Sequence, residues 1–313
     1  LIFLIDIDYK IKHMRYLSII TSFFILASAC KNPVKKEQLD SPSEGHIQIS
    51  VEESFKPFIE QELKVFALSF PNTTIQVAYK SEIECFKDLA SDSTRMIIVT
   101  RGLDKKEQAN YKDQLSYAPT FGILAYNAIA VVVNKKSKDS VFTMAELNAA
   151  LSGENNKQVV MDGSHLTGVV RFLKDSLLHE TQFGKNVVSA SGSEEVISFI
   201  KNNPNAIGFV GMNWVGDNYD PKQIEDRKTI KMALVECTLC IEKGYYSQPS
   251  QSNISQGHYS LSLPIYYILK ENAPGLGTGL LNFMSLERGQ LIFQRAFLVP
   301  AKMGFKKRKG LLN

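Results

Sequence analysis

Arg95-Met96-Ile97-Ile98-Val99-Thr100-Arg101-Gly102-Leu103 is the stretch on which the fold turns. Residues 96–100 form a short apolar run ending in Thr100 that reads as a strand. Directly after it, Asp104 and Glu107 have the spacing of a capping box, which opens a helix to Leu115. A strand that leads into a capped helix is one step of a strand–helix alternation. The same alternation extends in both directions.

Upstream, residues 46–51 alternate apolar and polar side chains as a half-buried strand does. They lead into Phe55, Phe58, Ile59, Leu63, Phe66, Ala67 and Phe70 at helical spacing, with Ser54 as the expected cap and Pro57 in the first turn. A strand over 74–79 and a helix over 83–90 complete that side. Downstream, residues 123–134 are strand-rich around Ala128-Ile129-Ala130-Val131-Val132-Val133, and Thr143 with Glu146 opens a helix over 144–151. Strands over 159–161, 187–189 and 206–210 then alternate with helices over 169–178 and 194–202. Residues 231–237 and 259–269 read as strands, 213–228 and 244–257 as loops, and two helical stretches follow Gly275. The pattern predicts an α/β fold with a mainly parallel sheet.

Composition sets outer limits. The chain has 313 residues, 44% hydrophobic and 22% charged, which suits about two globular domains. Its formal charge is +4, yet Lys302, Lys306, Lys307, Arg308 and Lys309 concentrate the excess at one end and leave the body slightly acidic. A nucleic-acid groove needs basic residues massed on one face, so that class is excluded. Residues 306–313 read as a solvated basic tail.

The first thirty residues read as targeting. Lys12 and Arg15 precede an apolar run over 16–27, and Ala27-Ser28-Ala29 leads into Cys30, the build of a secretory signal. The run is shorter than the roughly 20 apolar residues of a spanning helix. Residues 1–29 are expected to be this signal, with Met14 the true start. Residues 30–45, with Pro33 and Pro42, have linker composition. Leu26-Ala27-Ser28-Ala29-Cys30 resembles a bacterial lipobox, which implies a lipidated Cys30 and an extracytoplasmic protein tethered to a membrane.

Enzyme signatures are missing. The glycines of Gly163-Ser164-His165-Leu166-Thr167-Gly168 have P-loop spacing, but Val169-Val170 follows in place of the lysine. Gly275-Leu276-Gly277-Thr278-Gly279 lacks dinucleotide spacing, and neither G-x-S-x-G nor H-E-x-x-H occurs. No catalysis, metal or cofactor is expected. Cys237-Thr238-Leu239-Cys240 has C-x-x-C spacing without a second pair, so structural cysteines are expected and their pairing stays open.

Strand-to-helix turns rich in glycine and hydroxyls are the candidate site: Glu53-Ser54-Phe55, Thr100-Arg101-Gly102, the run from Ser164 to Gly168, and Ser191-Gly192-Ser193. Each presents backbone N–H groups where a helix dipole favours an anion. Arg101 and Arg171 are the candidates to add charge and a fork of donors.

Residues 95–103, then Ala130-Val131-Val132-Val133-Asn134-Lys135, then Ala206-Ile207-Gly208-Phe209-Val210-Gly211, and the closing Gly289-Gln290 helix with Leu298-Val299-Pro300, resemble phosphate-binding proteins of the PstS type. That resemblance implies a two-lobe type II periplasmic binding protein fold, with mixed, mostly parallel sheets joined by two crossing strands. By position it implies lobe 1 over 46–130 plus 237–305, lobe 2 over 131–236, and a hinge near 125–130 and 235–237. It implies phosphate contacts at Ser54, Phe55, Thr100, Arg101, Thr167, Gly168 and Arg171, with Glu53, Asn127 and Ser164 beside them. The family's proton-accepting aspartate is replaced near Arg101, and an acidic residue of shorter relatives is Asn127 here. Glu53 and Asp162 are then the candidates for an acceptor. The implied partners are inorganic phosphate and the permease subunits of an ABC importer, for a protein expected to be monomeric. The alternatives are a receptor for sulfate or molybdate, and a sensor or interaction lipoprotein of the same fold.

Overall fold

The computed structural model describes residues 40–163, 167–179 and 181–302. The expected signal segment, Cys30, most of the linker, Ser164 and the basic tail lie outside them. The expected linker enters the fold at Asp40, whose carboxylate accepts the Leu276 N–H at 2.8 Å and pairs with Arg95 at 3.3 Å.

The strands are β1 (Gly45–Glu52), β2 (Thr73–Lys80), β3 (Thr94–Val99), β4 (Thr120–Asn134), β5 (Val141–Phe142), β6 (Val159–Asp162), β7 (Val187–Ala190), β8 (Ile207–Gly211), β9 (Ile230–Met232), β10 (Leu234–Glu236), β11 (Tyr246–Ser247), β12 (Ser262–Leu269) and β13 (Val299–Pro300). Their order in the main sheet is β2-β1-β3-β12-β4-β8-β6-β7, with β9 and β13 also on β4. Pairing is parallel within each outer part (β1 with β2 and β3; β6 with β7 and β8) and antiparallel around β4 and β12.

β4 explains the division into two lobes. At 15 residues it is about 50 Å long, longer than one lobe needs. Its first half pairs with β12 and β13, its second half with β8 and β9. The run from Ala128 to Val133 is buried on both faces, which is why it reads as continuous apolar sequence. The second crossing is where β12 begins. Ile129 N–H donates to the Leu261 carbonyl at 2.9 Å, and the Tyr259 hydroxyl donates to the Ile129 carbonyl at 2.7 Å. Residues 235–237 lie elsewhere, in a small sheet where β10 pairs with β5 and β11. The segment 237–260, expected with the first lobe, packs Ile254 and Tyr259 in one cluster with Leu147, Leu173 and Phe209.

Helices cover both lobes. On the first, the helix Lys56–Ser69 packs Phe58 and Phe66 against Phe293 and Phe283, with ring centroids 5.9 and 5.4 Å apart. The boxes Asp104/Glu107 and Thr143/Glu146 both form as read. The stretch 231–237 is two strands broken at Ala233, whose N–H turns to the Val131 carbonyl at 2.8 Å. The supposed loops hold short helices, Pro221–Asp226 capped by Asp220 and Gln251–Ser255 capped by Ser250. Their caps are legible, but five or six residues are too few to show periodicity. Cys237 and Cys240 form a disulfide, and Cys85 is a buried free thiol.

Candidate functional site

Three carboxyl-end turns converge where the lobes meet. β3 ends at Val99 just before Thr100, β1 ends at Glu52 before the 3-10 turn Glu53–Phe55, and β6 ends at Asp162 before the helix Gly168–Leu173. Thr167 caps that helix, its hydroxyl accepting the Val170 N–H at 3.3 Å and donating to the Asp162 carbonyl at 3.2 Å. Gly168, the first helical residue, lies against the other lobe: a Cβ there would stand 2.2 Å from Thr100 Cγ2. A side chain there would force Thr100 or the junction itself to shift.

Arg171, one turn into that helix, bridges the junction. Its Nη2 donates to Thr100 Oγ1 at 2.7 Å, its Nε to Glu82 Oε1 at 2.6 Å, and its Nη1 to Asp175 Oδ2 at 3.3 Å. Glu82 opens the helix Glu82–Leu89, where a negative charge is favoured by the dipole. Its Oε2 accepts the Thr100 N–H at 2.9 Å and the Thr100 hydroxyl. Thr100, Thr167, Gly168 and Arg171 are thus brought together.

Other candidates have other partners. Ser54 is buried, but its hydroxyl donates to Glu52 rather than capping the helix after it. Its carbonyl accepts from Asn213 Nδ2 and Trp214 Nε1, both at 3.2 Å, which ties the lobes together a second time. The Phe55 ring is in the first lobe's core, 5.4 Å from Phe58. Asn127 is buried at the crossing, with Nδ2 donating to Asn213 Oδ1 and Oδ1 accepting the Ala128 N–H, both at 2.8 Å. Arg101, expected to aim its fork at the ligand, directs it along its own lobe. Both Nη atoms sit 2.8 Å from Glu107, and the guanidinium lies 3.9 Å over the Phe86 ring. The capping box is the reason, because it holds Glu107 one turn into its helix, directly above Arg101.

The junction is richer in carboxyls than the sequence reading foresaw. Glu52 is fully buried, with Oε1 unpartnered among the described residues. Burial holds its carboxyl well above the usual range, and neighbouring Asp162 and Glu82 push the same way against the Ser54 bond. Asp162 accepts the Ser193 hydroxyl on Oδ2 and leaves Oδ1 unpartnered. Burial raises it to about 6 despite the Ser193 bond. Burial also raises half-buried Glu53, with Glu84 adding to it. Among the described residues no group of three or more His, Cys, Asp or Glu has metal-holding geometry. Glu52 and Glu82 were missed because no periodicity marks a buried acid. The signal for Glu82 was the Ser81/Glu84 capping box, which sets it at the first helical position.

Residues 36–287 match the family described as the PBP superfamily domain. The chain belongs to the PBP superfamily. Phosphate-binding protein PstS of Staphylococcus haemolyticus is 21% identical over 232 residues, covering 69% of this chain and 68% of the relative. The protein of that name in Pseudomonas aeruginosa is 21% identical over 271 residues, covering 77% and 79%. Among solved structures, an ABC-type phosphate transport receptor from Vibrio cholerae superposes with a TM-score of 0.62 at 16% identity, over 81% of this chain and 99% of that one. The superposition establishes the two-lobe fold of this PBP superfamily member. What fills the junction is a question for its own residues.

Proposed function

We propose that the protein is an extracytoplasmic receptor that binds inorganic phosphate between its lobes and delivers it to the permease subunits of an ABC importer, without catalysis. The observation that carries the reading is Arg171 of one lobe meeting the Thr100 hydroxyl of the other, where the Thr100 amide and Arg171 both donate to Glu82. A guanidinium fork, a neutral hydroxyl and an amide are the donors a tetrahedral oxyanion takes up as its water leaves. The names of the relatives supply the ligand. Ligand-driven closure would be a hinge motion of lobe 1 against lobe 2 about the β4 and β12 crossings. The lipobox at Cys30 supports a lipid anchor in a bacterial membrane, and the receptor acts as a monomer.

Selectivity rests on the acids. Asp162 Oδ1, unpartnered among the described residues, is an acceptor for the proton of hydrogen phosphate. Sulfate has no proton to offer, so a carboxylate oxygen there rejects it. Titration calorimetry in buffer free of competing anions is expected to show saturable binding of phosphate at one site and none of sulfate. Absence of phosphate heat overturns the reading, and tighter binding of sulfate or molybdate replaces it with the oxyanion alternative.

Arg101→Ala is a useful control. Its side chain binds Glu107 on its own lobe, so the variant is expected to melt a few degrees lower and to keep phosphate affinity within about threefold. A loss of affinity as large as that of an Arg171 variant would return Arg101 to the binding residues.

A further inference from the structure

The donors that an oxyanion needs at the lobe junction already serve a group of the protein itself. Glu82 presents two oxygens to the pair of elements that face each other there, Oε1 to Arg171 Nε at 2.6 Å and Oε2 to the Thr100 N–H at 2.9 Å. Its side chain is only 4% exposed, so water does little to weaken these charged bonds. A carboxylate and one edge of a phosphate offer a guanidinium the same spacing of oxygens. Glu82 therefore imitates an anionic ligand at the place where one would bind.

We propose that Glu82 is an intramolecular competitor for the ligand, a carboxylate that joins the lobes through Arg171 and Thr100 and that an incoming oxyanion must displace. The identity of that oxyanion as phosphate rests on the function proposed above, whereas the competition does not. Glu82 is the first residue of its helix, so its side chain can swing away by rotation about its own bonds without unwinding a turn. Two anionic groups cannot both hold Arg171 Nε and the Thr100 amide, and a dianion beside a retained Glu82 would be repelled. Displacement thus sets an affinity threshold. The ligand must bind the Arg171–Thr100 pair better than a carboxylate that is permanently at hand.

Glu82→Gln and Glu82→Ala test this, with inorganic phosphate as the calorimetric probe. Competition predicts that both variants bind phosphate at least tenfold more tightly than the unmodified protein, equivalent to about 1.4 kcal/mol. A readout independent of ligand is the distance between labels on Lys64→Cys in the first lobe and Ser198→Cys in the second. It should lengthen or broaden in ligand-free Glu82→Ala. If the unmodified protein binds phosphate and both variants bind it equally or more weakly, Glu82 positions Arg171 for the ligand and the competitor is overturned while the receptor stands. If no form binds phosphate but the label distance widens in Glu82→Ala, the contact between lobes stands and the phosphate reading falls. Neither binding nor widening overturns both.

Discussion

Arg171→Ala is expected to weaken phosphate binding at least a hundredfold, about 2.7 kcal/mol, and to lower the melting temperature as well. The affinity loss follows from the donors removed. Nε and Nη2 reach groups of the opposite lobe, and a hydrogen bond to a charged group is worth about 1.5–3 kcal/mol. The stability loss follows from what remains. Glu82, almost wholly buried, would be left without its guanidinium partner, and breaking a buried pair from one side costs about 3–5 kcal/mol. Arg171 is a third exposed, so the lower end of that range applies. Arg171→Lys separates the two effects, because an ammonium keeps the charge and loses the fork. It is expected to recover most of the melting temperature and little of the affinity. Calorimetry and thermal melts of both variants check this, and unchanged phosphate affinity in Arg171→Ala would remove the residue from the site.

The second large effect lies in a different side chain, Glu62. This carboxyl sits in the helix Lys56–Ser69 with neither oxygen partnered among the described residues, and burial alone pushes it up to about 9. The folded chain therefore holds a proton between roughly pH 4.5 and 9 that the unfolded chain has released. Stability must fall as pH rises through that window, with a slope approaching 1.36 kcal/mol per pH unit from this group. Glu62→Gln is expected to flatten the decline of melting temperature between pH 5 and 9. Glu62→Leu, which replaces an unpaired carboxyl with an apolar side chain of similar size, should add about 2–4 kcal/mol near pH 7.5. Glu52 and Asp162 also bind protons more tightly when folded, but they are common to all the proteins compared, so the difference between profiles isolates Glu62. Parallel profiles for the unmodified protein and Glu62→Gln would show that the group is hydrated after all.

Much of the architecture was legible along the chain. The run from Met96 to Val99 and the β4 run from Ala128 to Val133 carry their apolar character in consecutive residues, because strands covered on both faces have no polar side to show. The capping boxes at Asp104 and Thr143 were legible for an equally local reason, since four residues contain both partners. Thr100, Thr167, Gly168 and Arg171 could be singled out because each lies at or near a strand-to-helix turn. Where Arg101 pointed could not be read. Its choice between a ligand and Glu107 depends on side-chain geometry across a turn, and both outcomes are chemically reasonable.

The sequence by itself determined most of the alternation of strands and helices, the helix starts at Asp104 and Thr143, and the shortlist of candidate anion-binding turns, because all of these depend on neighbours within a few residues. Tertiary structure alone decided that Thr100 meets Arg171, 71 positions away, and that Glu82 lies between them. It also decided that Glu52 and Asp162 approach each other closely enough to perturb a carboxyl. The reason is physical. A charge has its effect through distance and solvent exposure, and neither is specified until β4 and β12 have brought the two lobes together.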